Sequence, residues 1–181
     1  MWYNILNYYG KVLGDMIILG IDPGLAIVGY GVIEYERSRF KVLDFGAITT
    51  PAGLKVEDRL LMIERGMSQI IDRYRPEEMA VEELFFTNNR TTGIAVAEAR
   101  GVILLSARKK GVRIAEYTPL QVKSAVVGYG KAEKKQVIAM VKSILHIGPE
   151  LKLDDTADAL AIAVCHAHTG GGGLRNFYNL K

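Results

Sequence analysis

The sequence predicts an α/β protein with a mixed five-stranded sheet, three antiparallel strands followed by two parallel ones, and helices on both faces. Three apolar, β-branched runs follow one another near the start of the chain, and helical patterns then alternate with short strand-like runs. The chain has 181 residues and 49% hydrophobic content, which is enough to bury one sizeable core. We therefore expect a single globular domain.

The first three strands are predicted from the apolar runs themselves. They are MIILGID at 16–22, IVGYGVIEY at 27–35 and FKVLDFGAITT at 40–50. The turn-prone PGLA and the charged ERSR separate them, and connections this short join antiparallel neighbours. The three runs are therefore expected to form a meander.

A long helix and a short fourth strand follow the meander. Six apolar residues recur at helical spacing from Val56 to Tyr74. The helix should end at Arg75, because the residue before a proline disfavours the helical backbone and Pro76 comes next. The fourth strand is predicted at MAVEE, 79–83.

The remaining chain supplies a second long helix, a fifth strand and three further helices. Small and apolar residues alternate over 92–110 in a pattern suited to close helix packing, and VRIAEY at 112–117 then reads as a strand. The last three helices are predicted at TPLQVKSAV, KAEKKQVIAMVKSIL and DTADALAIAVCHAH. The expected order is βββαβαβααα.

The two ends of the chain are expected to lie outside this domain. Residues 1–15 precede the first strand and look like an extension that is disordered or loosely docked, and the domain covers 16–168. A run of four glycines begins at Gly170, so residues 169–181 are expected to form a flexible tail.

Composition excludes several classes of protein. No apolar run approaches the roughly 20 residues that a membrane span needs, and the N-terminal stretch lacks the features of an export signal. The single cysteine, Cys165, cannot form an intramolecular disulfide and lies in an apolar stretch, where a thiol behaves as a small hydrophobe. We expect a cytoplasmic protein without a membrane partner.

The strongest chemical signal is a set of four acidic residues on three separate segments. Asp22 follows the first strand, Glu82 lies in the fourth, and Asp155 and Asp158 begin the last helix on one face. Carboxylates that meet at strand ends repel one another unless they are protonated or bridged by divalent cations. A Mg²⁺-dependent phosphoryl-transfer site is the simplest interpretation.

Each acid also has an ordinary structural explanation. An aspartate before a proline and a glycine commonly starts a turn, as Asp22 does. Acids at a helix N-terminus, such as Asp155 and Asp158, stabilise the helix through its dipole. His146, which stands alone, is not expected to bind metal, nor are the two histidines of the last helix, which are two residues apart and face different ways.

Positive charge is concentrated in one part of the chain. Residues 108–135 hold eight Lys or Arg against Glu116 and Glu133, whereas the whole chain carries a net charge of +3. A basic face of this kind attracts a phosphate backbone, although a solvated helical surface would produce the same run.

Four motifs in the same order resemble the RuvC family of Holliday junction resolvases. They are GIDPG at 20–24, AVEE with FF at 80–86, QVKSAVVGYGKAEKKQV at 121–137 and DTADALAIA at 155–163. The resemblance covers nearly all of residues 16–168. It implies an RNase H-like fold, a homodimer, and two Mg²⁺ ions per subunit, with Mn²⁺ as an alternative, held at Asp22, Glu82, Asp155 and Asp158. It also selects Glu82 over Glu83.

The resemblance further implies residues that act on DNA. Catalytic lysines of the family match Lys123 and Lys134, and an aromatic residue that contacts the junction centre matches Phe85. Four neighbouring positions are additional DNA-contact candidates: Phe86, Arg90, Lys131 and Lys135. Simple core packing is an alternative for the two phenylalanines. The GYGK sequence lacks the remaining residues of a phosphate-binding P-loop, so nucleotide binding is not predicted.

The function that follows is a structure-selective endodeoxyribonuclease of homologous recombination and DNA repair. It would hydrolyse two symmetry-related phosphodiester bonds in a four-way DNA junction, each subunit of the dimer cutting one strand. The helix at 92–110 is the candidate subunit interface, and a branch-migration complex is the expected partner. Two alternatives stay open: a junction-binding module without catalysis, and an ATP-handling domain of the actin and sugar-kinase type, which would need a second domain.

Overall fold

The structure is a computed structural model that describes residues 16–83, 90–148 and 154–169. Its elements are β1 (Met16–Asp22), β2 (Ile27–Glu36), β3 (Arg39–Thr49), α1 (Val56–Tyr74), β4 (Glu78–Glu82), α2 (Arg90–Lys109), β5 (Arg113–Tyr117), α3 (Pro119–Val127), α4 (Lys134–Leu145) and α5 (Asp154–His168). The predicted order of strands and helices is confirmed. The predictions for residues 1–15, Phe85, Phe86 and 170–181 lie outside the described residues.

The five strands form one mixed sheet in the order β3-β2-β1-β4-β5. The pairs β1–β2 and β2–β3 are antiparallel, whereas β1–β4 and β4–β5 are parallel. This is the predicted arrangement of three antiparallel strands followed by two parallel ones. It places β1 at the centre of the sheet, next to β4.

Helices cover both faces of the sheet, as predicted. On one face, Val126 of α3, Val141 of α4 and Leu160 of α5 belong to a single buried cluster with strand residues such as Ala80. On the other face, α1 and α2 bury a second cluster against β1, β2 and β4. The ends of β1 and β4 lie at the border of the two cores. Polar side chains can be accommodated there.

Helix α1 ends where the sequence predicts, and the geometry shows why. Arg75 adopts a left-handed backbone with φ 49° and ψ 54°, and its N–H donates to the carbonyl of Ile71. Because Pro76 disfavours the right-handed helical backbone for the residue before it, the helix ends there.

Helix α5 packs unusually close to the sheet. A Cβ atom on Gly20 of β1 would lie 2.1 Å from the carbonyl oxygen of Ala159, and one on Gly31 of β2 would lie 2.6 Å from a methyl carbon of Leu160. Glycine in the strands and alanine in the helix therefore allow the contact. This packing determines where the acidic start of α5 lies relative to the end of β1.

In the part of the chain that the structure describes, no helix is both long enough and apolar enough to cross a membrane.

Candidate metal and nucleic-acid site

Asp22 and Glu82 lie at the ends of two neighbouring parallel strands. Ile21 pairs with Val81 in the register of β1 and β4, so the two acids are the next residues along. Side chains alternate along a strand, so Asp22 shares the face of Gly20, and Glu82 that of Ala80. Both faces pack against α5. The structure therefore brings these two predicted acids together on the α5 side of the sheet.

Glu83 takes a different position from Glu82. It follows β4, and its N–H donates to the carbonyl of Tyr117 at 2.9 Å. Strand alternation turns its side chain away from the α5 side. The choice of Glu82 over Glu83, which the resemblance implied, is thus consistent with the geometry.

Asp158 of α5 faces the same cleft as Glu82. The cleft has a volume of about 210 Å³. Two acids and two lysines lie among apolar lining residues: Glu82, Asp158, Lys123, Lys134, Pro119, Val122, Val137, Ala161 and Ile162. The partial burial of Glu82 and Asp158 strengthens the interactions among these charges, because the surroundings are less polar than bulk water.

Asp155 lies in the first turn of α5, three residues before Asp158. Residues three apart share one face of a helix, which favours the predicted pairing of these two acids. Among the side chains that the structure describes, which leave out that of Asp155, no three acidic, histidine or cysteine groups lie close enough to share one metal ion. The complete four-acid cluster therefore stays a prediction.

The electrostatics of Glu82 suit a cation. Burial raises the pKa of Glu82, and the negative charge of Asp158 raises it further, while the positive charges of Lys134 and Lys123 oppose the rise. The carboxylates therefore destabilise one another in their ionised forms. Carboxylate oxygens are hard donors that Mg²⁺ and Mn²⁺ accept, so the residues present fit a divalent metal ion.

Lys134 begins α4 and reaches across to α5. Its ammonium lies 2.9 Å from a carboxylate oxygen of Asp158 and 3.5 Å from one of Asp154. Burial alone would lower the pKa of Lys134, but the hydrogen bond and charge of Asp158, assisted by Asp154, outweigh burial and raise it. The lysine is therefore held in its charged form beside the acids.

Lys123 reaches the cleft from α3, whose start is fixed by local sequence. The Thr118 hydroxyl accepts the N–H of Gln121, the Gln121 side chain accepts the N–H of Thr118, and Pro119 occupies the first turn. Lys123 follows one turn later and lines the cleft.

The remaining basic candidates lie near the cleft or on neighbouring elements. Lys131 is exposed in the turn before α4, and Lys135 is exposed in the first turn of α4. Lys135 pairs with Glu133 at 2.9 Å, but an exposed pair of this kind contributes little and leaves the lysine available to a phosphate. Arg90 is the first residue of α2.

Two interactions around the site were not predicted from the sequence. The Arg100 side chain of α2 donates to the Glu82 carbonyl at 3.4 Å and pairs with Glu116. Glu78 and His166 form a buried pair between β4 and α5. Strand alternation could have placed Glu78 on the same face as Glu82, but nothing local indicates that His166 is its partner.

The chain resembles proteins of known family along most of its length. Residues 18–166 match the family model described as crossover junction endodeoxyribonuclease RuvC. The protein of that description from Alkaliphilus oremlandii is 58% identical over 155 residues, which is 86% of this chain and 94% of the relative. The one from Clostridioides difficile is 54% identical over 154 residues, 85% of this chain and 91% of the relative.

A solved structure of the same family has a similar fold. Thermus thermophilus RuvC in complex with a Holliday junction substrate superimposes with a TM-score of 0.81 at 35% identity, covering 84% of this chain and 93% of that one.

Proposed function

Because this chain belongs to the RuvC family of crossover junction endodeoxyribonucleases, we propose that it resolves four-way DNA junctions during recombination and repair. The likeness to a RuvC structure that holds a Holliday junction supports this substrate. The observation that carries the proposal is the cleft in which Glu82 and Asp158 face Lys123 and Lys134. Acids for a metal and cations for a phosphate are the two requirements of phosphodiester hydrolysis.

The metal site of this proposal consists of Asp22, Glu82, Asp155 and Asp158. RuvC-type nucleases use divalent metal ions, and we propose two Mg²⁺ per subunit here, with Mn²⁺ as a substitute. When bound, such ions activate a water molecule for attack and stabilise the leaving oxygen. Asp22 and Glu82, on adjacent strand ends, would supply two of the ligand carboxylates, and Asp155 and Asp158 of α5 would supply the other two.

The lysines act on the DNA. Lys123 and Lys134 line the cleft, and their ammonium groups are placed to neutralise the negative charge that develops on the phosphate. Lys134 contacts Asp158, so it also maintains the position of that acid. Phosphate contacts from the neighbouring surface would orient the junction without reading bases. They would come from Arg90, Lys131 and Lys135, whereas Phe85 and Phe86 would stack on unpaired bases at the junction centre.

Two symmetric cuts call for two equal sites, which a homodimer supplies. Helix α2 exposes Ile94 by 58% and Leu105 by 61%. These residues are eleven apart, which is three helical turns, so they lie on one side of the helix. These two exposed apolar side chains support α2 as the proposed subunit interface. We place the nuclease domain at residues 16–168, the protein in the cytoplasm, and a branch-migration complex among its partners.

The decisive experiment uses a synthetic four-way junction with and without Mg²⁺. We expect paired nicks that require the metal. Asp22→Asn should lower the cleavage rate by about 10³-fold or more while metal-free junction binding is retained or tightened, because a negative charge facing the DNA is removed. Asp72→Asn is the matched control, since Asp72 of α1 forms an exposed pair with Lys110, the residue after α2.

Three outcomes would contradict the proposal. Full cleavage by Asp22→Asn would contradict the proposed metal site. Junction binding by the wild type without any cleavage would identify a junction-binding module. ATP hydrolysis in the absence of DNA would favour the actin and sugar-kinase alternative.

A further inference from the structure

A chain of polar side chains, with Glu78 and His166 buried at its centre, joins β4 and α5, at their far ends from the cleft, to β5. Glu78 of β4 is 4% exposed and His166 of α5 is 1% exposed. The Nε2 atom of His166 hydrogen-bonds one carboxylate oxygen of Glu78, and Arg113 of β5 donates to the other at 2.6 Å. On the other side of the ring, Nδ1 lies 2.7 Å from the hydroxyl of Tyr117.

Both nitrogens of the His166 ring are thus engaged by groups on the sheet. The Tyr117 hydroxyl is also 3.0 Å from the hydroxyl of Thr169, which in turn donates to the Cys165 carbonyl at the end of α5. A ring held at both nitrogens can neither rotate nor slide without breaking a buried hydrogen bond, and an unsatisfied buried polar group is costly. The network therefore restrains the end of α5 against two strands at once.

Glu78 and His166 themselves cannot touch DNA, because they are almost completely buried. Its effect on the reaction must pass through other residues. The two elements that it joins are the ones that carry Glu82 and Asp158, so its influence is on their relative position.

The distance from Glu78 to Glu82 along β4 nearly equals the distance from His166 to Asp158 along α5. Glu82 follows Glu78 by four strand residues, about 13 Å. Asp158 precedes His166 by eight helical residues, about 12 Å. Helix α5 runs antiparallel to β4, and Ile162 and Ala80, which lie midway, belong to one buried cluster. The pair of Glu78 with His166, at the start of β4, thereby determines which residue of α5 faces Glu82 at the end of β4.

The other contacts of α5 join it to different elements. The helix packs on Gly20 and Gly31 through alanine and leucine residues, which sets how closely it approaches β1 and β2. Thr156 donates to the Gly46 carbonyl of β3 at 3.2 Å, and Asp158 pairs with Lys134 of α4. The pair of His166 with Glu78 is a directional bond between α5 and β4, and a displacement of about 1 Å at a catalytic site can lower a rate by about 10²-fold.

We propose that His166 is a positioning residue that, through Glu78 and Tyr117, fixes α5 along β4 and so holds Asp158 at metal-binding distance from Glu82. This inference rests on the proposed metal-dependent function of the cleft. It assigns to the buried pair a role in metal affinity beyond its contribution to stability.

The test compares Mn²⁺ binding and cleavage among four proteins. These are the wild type, His166→Leu, His166→Gln and Val141→Ala. Mn²⁺ binding to DNA-free protein is followed by the loss of the free-ion EPR signal. We expect His166→Leu to raise the Mn²⁺ dissociation constant by about tenfold or more, as loss of a group that orients metal ligands does. The Mn²⁺ dissociation constant of His166→Gln should lie between those of the wild type and His166→Leu, because the glutamine amide can still donate a hydrogen bond to Glu78.

Val141→Ala is the matched control, since Val141 is buried in the same cluster but lies on α4. It should lower the Tm and leave the Mn²⁺ dissociation constant within about twofold of the wild type. Single-turnover cleavage should need more metal only in the His166 variants, with metal-free junction binding unchanged. All assays are run well below the lowest Tm.

The inference is overturned if His166→Leu binds Mn²⁺ as tightly as Val141→Ala does. If His166→Leu does not fold, Tyr117→Phe replaces it, because that change removes one hydroxyl; an unchanged dissociation constant in Tyr117→Phe would then overturn the inference. A wild type that binds Mn²⁺ and does not cut junctions would contradict the proposed function alone, since the Mn²⁺ comparison does not depend on cleavage.

Discussion

Glu78 is a carboxylate in the interior of the protein, and its surroundings keep it ionised. The hydrogen bond from His166 lowers the pKa of Glu78, burial opposes this, and the charges of His166 and Arg113 lower it further, from an ordinary 4.5 to about 2. The unfolded chain therefore takes up this proton at a higher pH than the folded protein does. The stabilisation is complete above pH 4.5 and is lost as the pH falls towards 2.

We expect Glu78→Gln to lower the free energy of unfolding at pH 7 by about 3 kcal/mol, because one member of a buried ion pair is removed. The remaining acid dependence between pH 5 and pH 3 should be shallower than in the wild type. Urea denaturation at a series of pH values measures both effects.

Glu34→Gln is the control for this change. Glu34 pairs with Lys41 at 3.3 Å on the surface, and such a pair contributes under about 1 kcal/mol. Parallel curves of stability against pH for the wild type and Glu78→Gln would contradict the depressed pKa of Glu78.

The packing of α5 against β1 shows how a strand and a helix together place the acids of the proposed metal site. Gly20 lies two residues before Asp22, and Ala159 is the next residue after Asp158. The close contact of Gly20 with the Ala159 carbonyl therefore fixes the distance between the two acids. An added methyl group at Gly20 has no room, because its neighbours are backbone atoms that cannot rotate away.

For this reason Gly20→Ala should push α5 away from the sheet. We expect a loss of about 3 kcal/mol or more in the free energy of unfolding, at the upper end of what overpacking causes, together with a loss of cleavage. Differential scanning calorimetry and the junction assay measure the two effects.

Gly53→Ala provides the comparison, because a Cβ atom there meets nothing within 4 Å. Its stability should change by less than about 0.5 kcal/mol, with cleavage unaffected. Equal stability of the two alanine variants would show that α5 does not depend on the close approach to β1.

The cleft and the proposed subunit interface lie on opposite faces of the sheet. The cleft lies at the end of β4 on the α5 side, whereas α2 covers the other face and exposes Ile94 and Leu105. Arg100 of α2 donates to the Glu82 carbonyl, so the proposed interface helix also contacts the strand that carries a proposed metal ligand. Dimer formation and the cleft are therefore connected through one helix.

We expect Leu105→Glu to convert the dimer to a monomer, because a charge would be buried at the proposed interface without a partner. Sedimentation equilibrium should show the mass fall by half, and cuts in the two opposing strands of a junction should become uncoupled.

Met140→Glu is the matched substitution on the opposite side of the molecule, since Met140 is an exposed residue of α4. It should stay dimeric. A dimeric Leu105→Glu protein would place the subunit interface somewhere other than this face of α2.

The order of strands and helices followed from the sequence alone, because apolar periodicity is a local property that each segment carries by itself. The sequence also singled out Asp22 and Glu82, which follow or end apolar strand runs. Their places on adjacent parallel strand ends came from the strand order of the sheet, and their role as metal ligands stays a prediction. Boundaries shifted only slightly, as at α4, which begins at Lys134.

Only the tertiary structure decided which side chains oppose one another across elements. The ion pair of Lys134 with Asp158 depends on how α4 and α5 cross. The buried pair of Glu78 with His166 joins residues 88 apart in the chain. Local periodicity gives the face of a helix but not its rotation or axial position on the sheet, because those are set by the packing of glycine, alanine and buried polar groups that come from distant segments.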